Sequence, residues 1–136
     1  MEGFALYQFL RSLPVNLTIH NIDRVESIAV IVFLAARNRF CCHESRFTFH
    51  AGEWANQNPQ TLKELKAHSL LSADEHARYL TILKSNTSIS DKGFDELELF
   101  NEATIVDPSR AKEMGLVQEI KEASIPAGYS VWNVDF

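Results

Sequence analysis

The sequence predicts an α/β fold in which a mostly parallel sheet is covered by helices. Three observations carry that reading. Apolar and β-branched residues alternate with period two in Val15–His20, Arg39–Cys42 and Arg46–Phe49. Between them, apolar residues recur at helical spacing from Phe4 to Leu13, or fill the compact run Ile28–Ala36. Sheet-period and helix-period segments succeed one another along the chain, and such alternation favours parallel strands joined by helical crossovers.

Each element has its own signal. Phe4, Leu6, Tyr7, Phe9, Leu10 and Leu13 form a helical stripe that Pro14 ends. Val15–His20 follows as a strand. Ile28–Ala36 holds neither Gly nor Pro and is rich in small apolar residues, which predicts a buried helix. Arg46–Phe49 either pairs with the Arg39 strand or continues along a neighbouring edge. Ala51–Pro59, polar and amide-rich, is a loop. Thr61 with Glu64 three residues on makes a capping box that opens a helix to Leu70. Ser72-Ala73-Asp74-Glu75 repeats the signature and predicts a second helix through Tyr79, Leu80, Ile82 and Leu83. Ser90 starts a third, through Phe94, Leu97 and Phe100. Thr104–Val106 is a short strand or extended link. Asp107, Pro108 and Gly115 are an N-cap, a first-turn proline and a C-terminal glycine. Leu116–Ile120 is a last strand. Residues 1–122 thus form one domain, and 123–136 an irregular tail.

Composition bounds the function. With 136 residues the chain can bury a core but is short for a two-layer enzyme. Its net charge of −5 leaves no basic face to replace phosphate counterions, which argues against a nucleic-acid partner. Cys41 and Cys42 are adjacent in a strand, point to opposite faces and have no other cysteine to pair with, so a reducing cytoplasm is expected. No histidine lies at ligand spacing from them, so neither a metal nor another cofactor is expected. Met1–Leu13 lacks the features of a signal peptide, and Ile28–Ala36 is too short to span a bilayer, so no membrane partner is expected either.

The residues that can carry chemistry are Ser27 and His50. Ser27 sits where a strand hands over to a helix, so unpaired amides and the positive end of the helix dipole face it. On that placement alone a serine is as readily an N-cap as a nucleophile. His50 closes the Arg46–Phe49 strand, and a serine at a turn and a histidine at a strand end can converge on one cleft. A serine hydroxyl needs a base to take its proton and donors to hold the oxyanion. His20 in a strand, His43 in a turn, and His68 and His76 on polar helix faces read as solvated or satisfied in the core. Trp54 either lines a peptide groove or packs on its own loop.

Three segments also resemble a known family. Arg39–His50 (RFCCHESRFTFH) is similar to the segment ending in the catalytic histidine of the Clp protease proteolytic subunit family. Val25-Glu26-Ser27-Ile28-Ala29 resembles that family's nucleophile turn, and Ala111–Ile120 (AKEMGLVQEI) its A-x-E-x-G-L-V-x-x-I ending, which the wider ClpP/crotonase-like superfamily shares. The three occur in the family's order. The resemblance implies a spiral of ββα units, here without the first strands, and a serine peptidase with a Ser-His-Asp triad. It implies assembly into rings that stack into a chamber, with a peptide or unfolded protein as substrate and an ATPase unfoldase as partner. Ser27 would be the nucleophile, His50 the general base, and the Ile28 amide one oxyanion donor.

The sequence departs from that pattern at three places. The glycine pair that supplies the other oxyanion donor is not present upstream of the first helix, as though the N-terminal part were missing. Asp23 stands where the family has glycine four residues before the serine. Back-counting from Gly115 places the family's aspartate at Leu99, so Glu98, Asn101 and Glu102 are the candidates for a third triad member. The alternative is a catalytically impaired relative that serves as an assembly or interaction subunit. A crotonase-like acyl-CoA enzyme is the weaker third reading, since crotonases have no need of a serine–histidine pair.

Overall fold

A computed structural model of the chain describes residues 2–50, 61–97, 103–130 and 132. Helix α1 (Glu2–Ser12) leads into β1 (Thr18–Asn21) and, after a tight turn, β2 (Arg24–Glu26). Next come α2 (Ile28–Phe33), β3 (Asn38–Cys41), β4 (Arg46–Phe49), α3 (Leu62–Asn86) and α4 (Asp91–Glu96). The chain goes on through β5 (Thr104–Val106), α5 (Pro108–Glu113) and β6 (Glu119–Ile120). These strands form two three-stranded sheets. In the order β1-β3-β6 every pairing is parallel. In the order β2-β4-β5, β2 and β4 are parallel, and β5 runs antiparallel to β4. The α/β class is the one the alternation predicts.

The core gathers on α2. Its six residues are all apolar, and Val30 and Ile31 are fully buried, as are Leu34 and Ala36 just beyond it. Ile28 and Val32 are half-buried, and of the six only Ala29, small and apolar, is exposed, so a polar face is not needed. Phe33 meets Phe47 of β4 edge to face, with ring centroids 5.1 Å apart. Helix α1 lies against α2 so closely that a Cβ on Gly3 would collide with the Ile28 side chain. Phe4 and Tyr7 supply the buried face of α1, while Leu6 and Phe9 of the expected stripe stay exposed.

Asn21 is the pivot between the sheets. It is buried, donates to the Arg46 carbonyl at 3.0 Å and accepts the Asp23 amide at 3.2 Å. The Asp23 carbonyl in turn accepts the Arg46 amide at 2.7 Å. Asp23 itself keeps an ordinary negative φ, so this turn has no need of glycine.

Arg39 staples the other end of the core. Its guanidinium donates to the carbonyls of Ala36, Asn86, Gly115 and Leu116 at 2.8–3.1 Å. Those carbonyls belong to the chain leaving α2, α3 and α5. A cation there satisfies orphan acceptors and complements the negative ends of three helices. Gly115, at φ +73, turns the chain out of α5, and a Cβ there would lie 2.9 Å from the Ser88 backbone nitrogen.

Several expected boundaries are corrected. Val15–His20 starts three residues later as β1, and a separate β2 follows before Ser27. Helix α2 stops at Phe33 rather than Ala36, and β6 begins at Glu119 although Leu116 and Val117 are buried. The strand Arg46–Phe49 pairs with β2, not with the Arg39 strand. Thr61 and Glu64 do form the capping box, but the helix they open runs unbroken for 25 residues. Ser72 starts no second helix, because no Gly or Pro precedes it to stop the first, and an interior serine costs a helix only a few tenths of a kcal/mol, roughly.

Candidate active site

Ser27 occupies the one-residue turn between β2 and α2. Its φ of 53° and ψ of −131° make it the one non-glycine residue at positive φ among those described. Such a conformation costs an L-residue roughly 1–3 kcal/mol and persists only where its surroundings hold it. Three hydrogen bonds do so. The Ser27 amide donates to the Thr48 carbonyl at 3.0 Å, and the Ser27 carbonyl accepts the Val30 amide at 3.1 Å. The Tyr79 hydroxyl, reaching across from α3, donates to the same carbonyl at 3.2 Å. Although Ser27 stands at the N-cap of α2, its side chain makes no capping hydrogen bond. The Ile28 amide, next in the chain, meets no backbone acceptor among the described residues.

His50 directly follows β4 and is exposed. The register pairs Glu26 with Thr48, so Ser27 and His50 leave the same, C-terminal end of two adjacent parallel strands. Neighbouring strands run about 4.8 Å apart. This is the end of a parallel pair at which α/β proteins typically bind ligands. Thr48, two residues before His50, is buried, and its hydroxyl has no hydrogen-bond partner among the described residues.

Glu98, Asn101 and Glu102 lie outside the described residues, as do Leu99 and Trp54. On the near side, Thr104 of β5 pairs opposite Phe49, the residue before His50, and its hydroxyl donates to the Leu97 carbonyl at 2.9 Å.

Other titratable groups are placed elsewhere. His20 Nε2 lies 2.9 Å from the Lys121 carbonyl and 3.6 Å from Cys42 Sγ. His43 pairs with Glu122 at 2.9 Å on the surface, and that hydrogen bond holds the Glu122 carboxyl below its ordinary pKa. Burial pushes the Cys41 thiol up. Among the described residues no cluster of three or more His, Cys, Asp and Glu is arranged to hold a metal ion, and no helix is long and apolar enough to cross a membrane.

Two structurally important residues, Tyr79 at this site and Arg39 at the other end of the core, were invisible to sequence reasoning. Tyr79 reads as one more apolar position of a helix, and only the fold brings its hydroxyl to a turn 52 residues away. Arg39 reads as a polar position in a strand. Neither has a local motif.

No protein-family model matches the chain, and no curated protein matches it. Among solved structures the chain is similar to a ClpP1 mutant from Listeria monocytogenes, with a TM-score of 0.74 and 18% identity. The alignment covers 89% of this chain and 66% of that one, so the chain spans just under two thirds of that structure's length. At such identity the likeness concerns the fold. The chain has a ClpP-like α/β fold.

Proposed function

We propose that the chain is a serine-type endopeptidase subunit with Ser27 as nucleophile, His50 as general base and the Ile28 amide as an oxyanion donor. The observation that carries this reading is Ser27 itself. It is held at a strained φ of 53° between a strand and a helix, it caps nothing, and it leaves the sheet beside the strand that ends in His50. A serine displayed on a sharp strand-to-helix turn, followed by an amide aimed at the developing charge, is the arrangement acyl-transfer chemistry needs.

The chemistry follows from those groups. Neutral His50 takes the Oγ proton as Ser27 attacks a peptide carbonyl carbon, and the resulting oxyanion accepts the Ile28 N–H. Collapse expels the amine, which leaves with the proton from the imidazolium. Water then attacks the acyl-enzyme by the same route and frees the acid. No cofactor enters either half. Glu98, Asn101 or Glu102 orients the imidazole.

From the resemblance of its three segments to the Clp family, the reading extends to a peptide or unfolded protein as substrate, a ring-shaped homo-oligomer and an ATPase unfoldase as feeder, and from its two unpaired cysteines to the cytoplasm. The exposed leucines of α3, among them Leu62 and Leu70, give such an assembly an apolar face to cover. The same face would serve an assembly subunit in which Ser27 is idle. Hydrolysis of a fluorogenic peptide separates the two readings. Ser27→Ala and His50→Ala should each lower it by a factor on the order of 1,000 or more, because a nucleophile and its base fail together. One of Glu98→Ala, Asn101→Ala and Glu102→Ala should also lower it. Hydrolysis unchanged in Ser27→Ala overturns the proposal.

A further inference from the structure

The Tyr79 hydroxyl and the Ile28 amide act on opposite edges of one peptide group. The carbonyl of Ser27 and the N–H of Ile28 belong to the same planar, trans unit, so whatever fixes one fixes the direction of the other. Tyr79 Oη donates to that carbonyl at 3.2 Å, across 52 residues of sequence. The Val30 amide reaches the same oxygen at 3.1 Å as part of the first turn of α2. Thus one tether comes from the turn itself and a second from another element.

From this geometry we infer that Tyr79 is a positioning residue for the oxyanion donor: its hydroxyl locks the Ser27–Ile28 peptide plane so that the Ile28 N–H points at the reacting carbonyl oxygen. This rests on the peptidase reading of Ser27 and extends it to α3. Two physical effects act together. The first is orientation. Ser27 is strained at φ 53°, and a peptide bonded only within its own turn can rock toward a relaxed conformation. The second is polarisation, since a carbonyl that accepts a hydrogen bond makes the N–H across the same amide a better donor, by about 10–30% per bond.

The surroundings suit that task. Tyr79 is half-buried and its ring packs against the core. Burial raises its phenol pKa well above the ordinary value, so the hydroxyl remains a protonated donor wherever an imidazole base operates. Helix α3 is held in place about two turns beyond Tyr79, at its C-terminal end, where the Asn86 carbonyl accepts from Arg39. The tether therefore hangs from a fixed element.

The test is Tyr79→Phe in the full chain, which removes one oxygen and keeps the ring. Losing an oxyanion donor outright costs roughly 100- to 1,000-fold, so a donor that is present but less well aimed should cost about 5- to 30-fold in kcat. KM should stay within about twofold, because the interaction belongs to the transition state. Affinity for a peptide boronate, whose adduct places a tetrahedral oxygen at the same amide, should fall by the same factor as kcat. Replacing Tyr79 with 3-fluorotyrosine, which keeps the donor, should hold kcat within about twofold of wild type. A packing role alone would lower thermal stability without this split. If the wild-type chain hydrolyses peptide and Tyr79→Phe matches it in kcat and boronate affinity, the positioning role is wrong and the peptidase reading stands. If the wild type itself neither hydrolyses peptide nor binds the boronate, the peptidase reading fails and the positioning role falls with it.

Discussion

The Ser27 amide donates to the Thr48 carbonyl at 3.0 Å, one step past the last paired position of β2 and two residues before His50. That bond carries the ladder across the point where the β2 backbone leaves the strand. It ties the turn that displays the serine to the strand that ends in the histidine. Their relative position is thus set by main-chain hydrogen bonding rather than by loops, which is how a site is kept within the tolerance catalysis demands.

Arg39, buried among main-chain carbonyls, should be costly to replace. Its guanidinium serves four carbonyls at the ends of three helices, and among the described residues no carboxylate pairs with it. Arg39→Met leaves those acceptors buried without a donor. At roughly 1–3 kcal/mol for an unsatisfied buried group, with some relaxation, the loss should be about 2–5 kcal/mol. Arg39→Lys should recover only part of it, because an ammonium cannot span the positions a planar fork reaches. Urea unfolding checks both, and a loss under about 1 kcal/mol for Arg39→Met would contradict this account.

The start of α3 should loosen in acid. Thr61 donates to the Glu64 carboxylate from its amide at 2.7 Å and from its hydroxyl at 2.8 Å. The amide bond is the main cause, and the hydroxyl the second, of a Glu64 pKa below the ordinary value near 4.5. A carboxyl whose pKa is lowered by folding stabilises the fold above the ordinary value and loses that contribution as pH falls toward the lowered one. Amide exchange in residues 62–65 should therefore speed up below about pH 4.5 relative to the rest of α3. Glu64→Gln, which cannot ionise, should remove that pH dependence. Equal pH dependence in the two proteins would count against the capping role.

The sequence made some of this legible and hid the rest for physical reasons. Strand β4, the Thr61–Glu64 box and the Asp107–Pro108 start of α5 each carry a local signal, and the structure has them where that signal lies. Strand β2 is only Arg24-Val25-Glu26, too short for alternation to stand out, and so a separate strand in a second sheet, just before Ser27, was not visible. The continuity of α3 through Ser72 was hidden by a capping signature that a long helix simply absorbs. At the site, Ser27 and His50 could be named from their places at element ends. Their common strand pair depends on register between distant segments, and the Tyr79 tether on packing of α3, neither of which sequence spacing encodes.

Association is expected to cover the apolar face of α3. Leu62 is 78% exposed and Leu70 74%, with Leu65 and Leu71 of the same helix also exposed, and apolar residues grouped on one exposed element mark an interaction surface. Sedimentation at micromolar concentration should show an oligomer, and Leu62→Glu combined with Leu70→Glu should shift it toward smaller species with the helix content unchanged. A wild-type chain that sediments as a well-folded monomer would contradict this expectation.

The central claim, that Ser27 is an activated nucleophile, is tested most directly by labelling the chain with a fluorophosphonate and locating the adduct by mass spectrometry. The account predicts one adduct, on Ser27, that Ser27→Ala abolishes and His50→Ala slows by a factor on the order of 100 or more, since the base is what makes the hydroxyl reactive. A chain left unlabelled at Ser27, or labelled there equally fast without His50, would contradict it.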